Sequence, residues 1–212
     1  MQAKGKFITL EGGEGVGKTT NLAVVKACLE AAGKRVLLTR EPGGTPIGEK
    51  IRTILLDKGN APLLASAELL LVFAARVQHV EEVIRPAIER GEWVLSDRFT
   101  DASYAYQGGG RGIDSARIAY LETWLLDNLQ PDFTLLLDTS PTIGKHRAGL
   151  RAELDRFESE ELAFFERVRQ GYLQRAKAMP DRFSVVDAGL PLDQVKYEIS
   201  EKLTAWLNRE DA

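Results

Sequence analysis

One cysteine, two histidines and a longest apolar stretch of only residues 69–75 set the first limits on this chain of 212 residues. The lone Cys28 cannot close an internal disulfide, which suits a reducing, cytoplasmic setting. It falls on one helical face with Leu22, Val25 and Leu29, so packing is its expected role. His79, His146 and Cys28 make no metal-ligand spacing. Residues 69–75 are too few to span a bilayer, and the polar, basic residues 1–6 lack the apolar core of a leader, so no membrane attachment is expected. A net charge of −3 with both signs scattered advertises no surface for a polyanion, and no nucleic-acid partner is expected. None of the four asparagines precedes a lysine, which removes the Asn-Lys-x-Asp guanine reader of a GTP-dependent switch. The absence of Gly-x-Ser-x-Gly removes a nucleophile elbow.

Alternation is what the chain does have. Residues 6–11, 35–39, 93–97, 133–138 and 183–187 are short apolar runs with the character of buried parallel strands. Helical periodicity fills the intervals at 17–32, 66–90, 115–128, 160–177 and 192–208. The pattern predicts one α/β domain over 1–212, a five-stranded parallel sheet with helices on both faces. The charged stretch 145–161 reads as a short lid, and Gly108-Gly109-Gly110-Arg111-Gly112 as a flexible turn. Trp93, Trp124 and Trp206 fall on apolar faces and are expected to pack. Ligands of such sheets bind beyond the carboxyl ends of the strands, which here carry Glu11, Arg40 with Glu41, Asp97 with Arg98, and Asp138.

Gly12-Gly13-Glu14-Gly15-Val16-Gly17-Lys18-Thr19 fits G-x-x-x-x-G-K-[ST] between a predicted strand and a predicted helix. Glycines let successive backbone N–H groups curl around phosphates, and the helix start turns its positive end to them. Lys18 would pair with the β- and γ-phosphates of ATP, and Thr19 would give a hydroxyl to Mg²⁺. Thr20 continues the candidate ATP-binding set. Asp97 fits a carboxylate of the metal shell.

The acceptor is addressed by other clusters. Arg40 in Thr39-Arg40-Glu41-Pro42-Gly43-Gly44-Thr45 and Arg98 after Asp97 would form a guanidinium fork for a monophosphate. Phe73 and Arg76, three residues apart on one helix, offer an aromatic platform and a donor to a flat pyrimidine. These residues leave open another nucleoside monophosphate or deoxynucleoside kinase, or a module that binds nucleotide without catalysis.

Those motifs together with Asp97-Arg98-Phe99, Ala105-Tyr106-Gln107-Gly108 and Leu154-Asp155-Arg156-Phe157-Glu158 resemble the bacterial thymidylate kinases, over residues 7–172. The resemblance implies a P-loop nucleoside monophosphate kinase fold, ATP and dTMP as substrates, Mg²⁺ as cofactor and a homodimer. It implies that Phe73 stacks on thymine, that Arg76 donates to a base carbonyl, and that Ser103 and Gln107 make further contacts around the base. Tyr106 would crowd the sugar 2′ position, Arg40 and Arg98 would grip the dTMP phosphate, and Glu11 would lie near the sugar and metal. The P-loop carries Glu14 and no arginine, so the likeness is to the lid-arginine form. Arg151 and Arg147 then join Lys18 and Arg98 as catalytic candidates. Ala102 stands where the family often has serine.

Overall fold

The computed structural model describes residues 4–60, 63–149 and 155–210. Five parallel strands, β1 (Phe7–Gly12), β2 (Val36–Arg40), β3 (Trp93–Asp97), β4 (Phe133–Asp138) and β5 (Phe183–Asp187), form one sheet in the order β2-β3-β1-β4-β5. The apolar runs chosen from the sequence are these strands. β1, β3 and β4 are the most completely covered because each has two neighbours and a helical layer on either side. Strand alternation divides the core. Ile8 and Leu10 face the cluster built with α1 (Lys18–Ala31) and α9 (Leu192–Glu210), where Trp206 stacks on Phe133 at 4.9 Å and meets Trp93 edge-on. Phe7 and Val94 face the opposite side, against α3 (Ala65–His79) and α6 (Ser115–Leu126). A third cluster joins Leu136 to α8 (Leu162–Ala178). Half-buried Cys28 packs against the first cluster, with Sγ 3.4 Å from Ser200 Oγ.

Several local expectations need correction. The helix expected over 66–90 is three pieces: α3, a π-helical stretch Val80–Ile84, and α4 (Arg85–Glu89). Pro86 lacks an N–H and crowds the preceding turn, and the ladder widens just before it, with Arg85 N–H reaching Val80 O. Trp124 is 65% exposed and lies beside Tyr120 on the outer face of α6, so it is no core residue. The glycine run is not a flexible turn. It ends α5 (Thr100–Ser103) in a π-helical segment, Tyr104–Gly110, that lies on α8. A Cβ on Gly109 would stand 2.6 Å from Arg167 O, and one on Gly171 would stand 2.9 Å from Ala105 Cα. Two further helices were not foreseen. α2 (Pro46–Leu56) begins with Thr45 accepting from Gly48 N–H, and α7 (Pro141–Ala148) is capped by Ser140.

Candidate active site

The turn after β1 is shaped by glycine where no other residue fits. Gly15 has φ +68°, and a Cβ there would lie 1.9 Å from Gly144 O. Gly12, at φ +143°, would place one 2.5 Å from Leu137 O. The loop delivers Lys18 to the first turn of α1, where Nζ donates to Gly13 O at 2.8 Å and Gly12 O at 3.2 Å. Burial lowers the pKa of Lys18, as does Arg98, against the pull of Glu14, Asp97 and Glu11.

Glu14 is the loop's electrostatic hinge. It accepts from Arg98 Nη2 at 2.5 Å and from Tyr106 OH at 2.8 Å. Burial pushes its carboxyl up, but Arg98, Lys18 and these hydrogen bonds outweigh that and hold it at about 2. Arg98 has φ +73°, a strained position for a non-glycine residue. Ser96 Oγ holds its carbonyl at 2.7 Å, and its guanidinium lies over the Tyr106 ring at 4.6 Å.

Glu11 lies fully buried beneath this floor, accepting from Phe99 N–H at 2.7 Å and Tyr172 OH at 2.8 Å. Burial, reinforced by Asp101, raises its carboxyl from 4.5 to about 8. Between those values the folded protein keeps a proton that the unfolded chain has released, so stability falls as pH rises through that window. Glu14 acts in the opposite sense: its contribution is present above 4.5 and is lost as pH falls toward about 2. Glu11→Gln is therefore expected to flatten the decline of stability between pH 5 and pH 8, by up to about 4 kcal/mol. Urea unfolding of both proteins at the two pH values measures this; parallel declines would contradict it.

A cavity of about 210 Å³ opens beside the loop. Glu14, Gly15, Gly17, Lys18 and Thr19 line it together with Asp97 and Arg98, and its wall continues through Arg76, Ser103, Tyr106 and Gln107. Arg76 is 2% exposed and anchored through three of its five N–H groups: Nε donates to Glu41 at 2.6 Å, Nη1 to Ser103 Oγ at 3.0 Å and Nη2 to Phe99 O at 3.0 Å. His79 Nδ1 lies 3.0 Å from the other Glu41 oxygen, and its Nε2 lies 2.6 Å from Thr39 Oγ1. Arg76 is thus fixed to the loop after β2 through Glu41.

Other candidates sit elsewhere. Gly13 and Val16 line a smaller neighbouring cavity, again with Glu14. Gly12 closes β1, and Thr20 is exposed on α1. Arg40 is not in the cavity wall and pairs with Glu49 at 2.9 Å, with 54% of its side chain exposed. Phe73 is 1% exposed and is not in the cavity wall; the Arg76 guanidinium covers its ring at 4.8 Å. Arg147 Nη1 donates to Ala188 O at 2.7 Å, and Arg151 lies outside the described residues. The wall also contains Arg52, Asp155, Phe157 and Glu158. Arg52 was not a sequence candidate because α2 was not recognised. Thr45-Pro46 followed by Glu49 is an N-terminal signal that would have exposed that helix.

The comparisons bear on this geometry as a whole. The family model described as thymidylate kinase matches residues 10–199. The chain belongs to the thymidylate kinase family. It is 54% identical over 205 residues to the thymidylate kinase of Alcanivorax borkumensis, covering 95% of this chain and 99% of that one. It is 57% identical over 199 residues to that of Pseudomonas savastanoi pv. phaseolicola, with 94% and 95% covered. The crystal structure of thymidylate kinase from Ehrlichia chaffeensis superposes with a TM-score of 0.76 at 33% identity, covering 95% of this chain and 99% of that one. The sheet and its helical layers are thus those of a P-loop nucleoside monophosphate kinase of the thymidylate kinase family. Among the described residues no helix is long and apolar enough to cross a membrane, and no three His, Cys, Asp or Glu side chains gather as a metal site.

Proposed function

We infer that the chain is an ATP-dependent thymidylate kinase, moving the γ-phosphoryl of ATP to dTMP to give ADP and dTDP, a step toward dTTP. The observation that carries this is a single cavity whose wall joins Lys18, Thr19, Asp97 and Arg98 to Arg76, Ser103 and Gln107. The first group suits phosphates, and the second suits a base edge. The P-loop N–H groups and the start of α1 would receive the ATP phosphates, with Lys18 exchanging the Gly12 and Gly13 carbonyls for phosphate oxygens. Arg98, with Arg52 beside it in the wall, supports binding of the dTMP phosphate. Arg40 can join them, because an exposed pair with Glu49 holds it weakly.

The acceptor is already an anion, so no general base is needed; positioning and charge stabilisation carry the transfer. Tyr106, its hydroxyl held by Glu14, supports the expectation of a crowded sugar 2′ position. Thr19 and Asp97 would hold Mg²⁺, mostly through ATP and water. Asp97 Oδ1 is buried without a hydrogen-bond partner, which fits an atom kept for a cation's shell. When bound, that ion neutralises charge on the phosphates.

Residues 145–161 serve in this reading as the lid of one kinase domain spanning 1–212. Exposed Leu70, Tyr120 and Trp124 support a homodimer through α3 and α6, and the free thiol of Cys28 supports a cytoplasmic setting.

Arg76→Ala tests the base-reading half. It should weaken dTMP binding by roughly 1.5–3 kcal/mol, one charged hydrogen bond, and leave ATP binding nearly unchanged. Calorimetric titration with each nucleotide reads this directly. Equal losses for both would make Arg76 a purely structural residue.

A further inference from the structure

Glu68, on α3, has a fully buried carboxylate that no step above uses. Such a group persists only when its oxygens are well supplied with donors. Gln107 Nε2 donates to Oε1 at 2.9 Å and Arg156 Nη2 to Oε2 at 2.7 Å, while Arg111 Nε lies 3.3 Å from both oxygens. The arginines are themselves anchored. Arg156 Nε donates to Leu55 O at 2.8 Å, and Arg111 Nη1 donates to Glu160 at 2.6 Å. Every partner of Glu68 is thus a donor, two of them guanidiniums, and its oxygens serve as acceptors.

The consequence falls on Gln107. A primary amide has a donor end and an acceptor end, and an unconstrained one can present either to a ligand. Glu68 binds one N–H and so turns the NH2 end of the amide toward itself, which leaves the oxygen, at the other end, as the acceptor Gln107 can offer the cavity it lines beside Arg76 and Ser103. Arg76 can only donate. The wall therefore presents a donor next to an acceptor, in a fixed order. A pyrimidine imide, with a carbonyl at C4 and a proton on N3, is complementary to that order. An aminopyrimidine, with an amino group at C4 and a bare N3, reverses both positions.

We propose that Glu68 is a positioning residue for base selection: by holding the Gln107 amide in one of its two orientations, it makes the site accept thymine-type imides and reject aminopyrimidines. The proposal rests on the reading of the cavity as the dTMP site. Unpaired buried acceptors or donors are what give such discrimination its size, since the wrong base leaves both Arg76 and Gln107 facing like groups.

The probes are dTMP and 5-methyl-dCMP, which differ only at the C4 substituent and the N3 proton. Specificity constants for both are measured in the wild type, Glu68→Gln, Gln107→Ala and the double variant. A glutamine at position 68 can present either end of its own amide, so the lock on Gln107 is released. Glu68→Gln should lower the dTMP preference by about tenfold or more, through the KM for dTMP, with the KM for ATP unchanged. In the Gln107→Ala background the same substitution should move the preference by less than about twofold, because the group it acts through is gone. A preference unchanged by Glu68→Gln, or changed equally in both backgrounds, overturns the proposal and leaves Glu68 as a packing residue. If Glu68→Gln does not fold, Glu68→Asp carries the same cycle with the same outcomes, since it keeps a charge for Arg111 and Arg156 while shortening the reach to Gln107. Failure of the wild type to phosphorylate dTMP would instead overturn the reading of the cavity itself.

Discussion

Lys18→Ala is expected to cut turnover by about 10²–10³-fold while the protein stays folded. The ammonium stands at the first turn of α1 with its hydrogen bonds going to two loop carbonyls, so its removal leaves the sheet and all three core clusters untouched. Those two bonds are worth on the order of 1 kcal/mol each to the fold, a small share of a domain's stability. During transfer the same ammonium would lie where negative charge spreads over the γ-phosphoryl oxygens, and no neighbour replaces it. Arg98 is the nearest alternative cation, yet Glu14 and the Tyr106 ring hold it. Steady-state kinetics with ATP and dTMP, alongside a thermal melt, separates the two effects. Near-normal turnover in a folded Lys18→Ala protein would remove the P-loop from the reaction.

A second large effect is expected in residues 145–161, the proposed lid. The P-loop carries Glu14 and no arginine, and Glu14 is itself paired with Arg98, so beyond Lys18 the loop brings no second positive charge to the transferring group. An arginine from residues 145–161 would supply it, an effect typically worth about 10³–10⁵ in turnover. Arg151→Ala should show that loss, with both Michaelis constants little changed, as expected for an interaction made in the transition state. Arg147→Ala should lose less, because Arg147 is already engaged by the Ala188 carbonyl. Arg156 is not a finger: its Nε and Nη2 are bound to Leu55 O and Glu68. If neither Arg147→Ala, Arg151→Ala nor the double variant loses even about tenfold, the charge comes from elsewhere and the lid-finger idea is wrong.

What could be read from the chain followed from how local each feature is. The strands were visible because each is a five- or six-residue apolar run, and in a parallel sheet both faces must be covered. The P-loop was visible because its glycine spacing and the Lys18-Thr19 that follows form a local pattern, although the clashes that demand Gly12 and Gly15 come from Leu137 and Gly144, far along the chain. α2 was hidden because its first turn, Pro46-Ile47-Gly48, carries two residues that ordinarily break helices, and Arg52 went with it. Arg40 and Phe73 satisfied the right motifs, but their orientations depend on Glu49 and on Arg76, partners that the motif itself does not name. Glu68 is the clearest case. On a helix a glutamate reads as a solvated surface residue, and only long-range contacts from Gln107, Arg111 and Arg156 show that it is buried at a junction. Trp124 is the reverse, an aromatic at an apolar spacing that the fold leaves outside.

The central claim is that one cavity carries phosphoryl groups at Lys18 and Arg98 and reads a thymine at Arg76 and Gln107. The most direct measurement is a coupled assay of the purified protein with ATP and, in turn, dTMP, dUMP, dCMP, dGMP and AMP. The account predicts conversion of dTMP to dTDP with the highest specificity constant, with dCMP and the purine nucleotides lower by about 10²-fold or more. Comparable specificity constants for dTMP and dCMP, or ATP consumption without formation of dTDP, would contradict it.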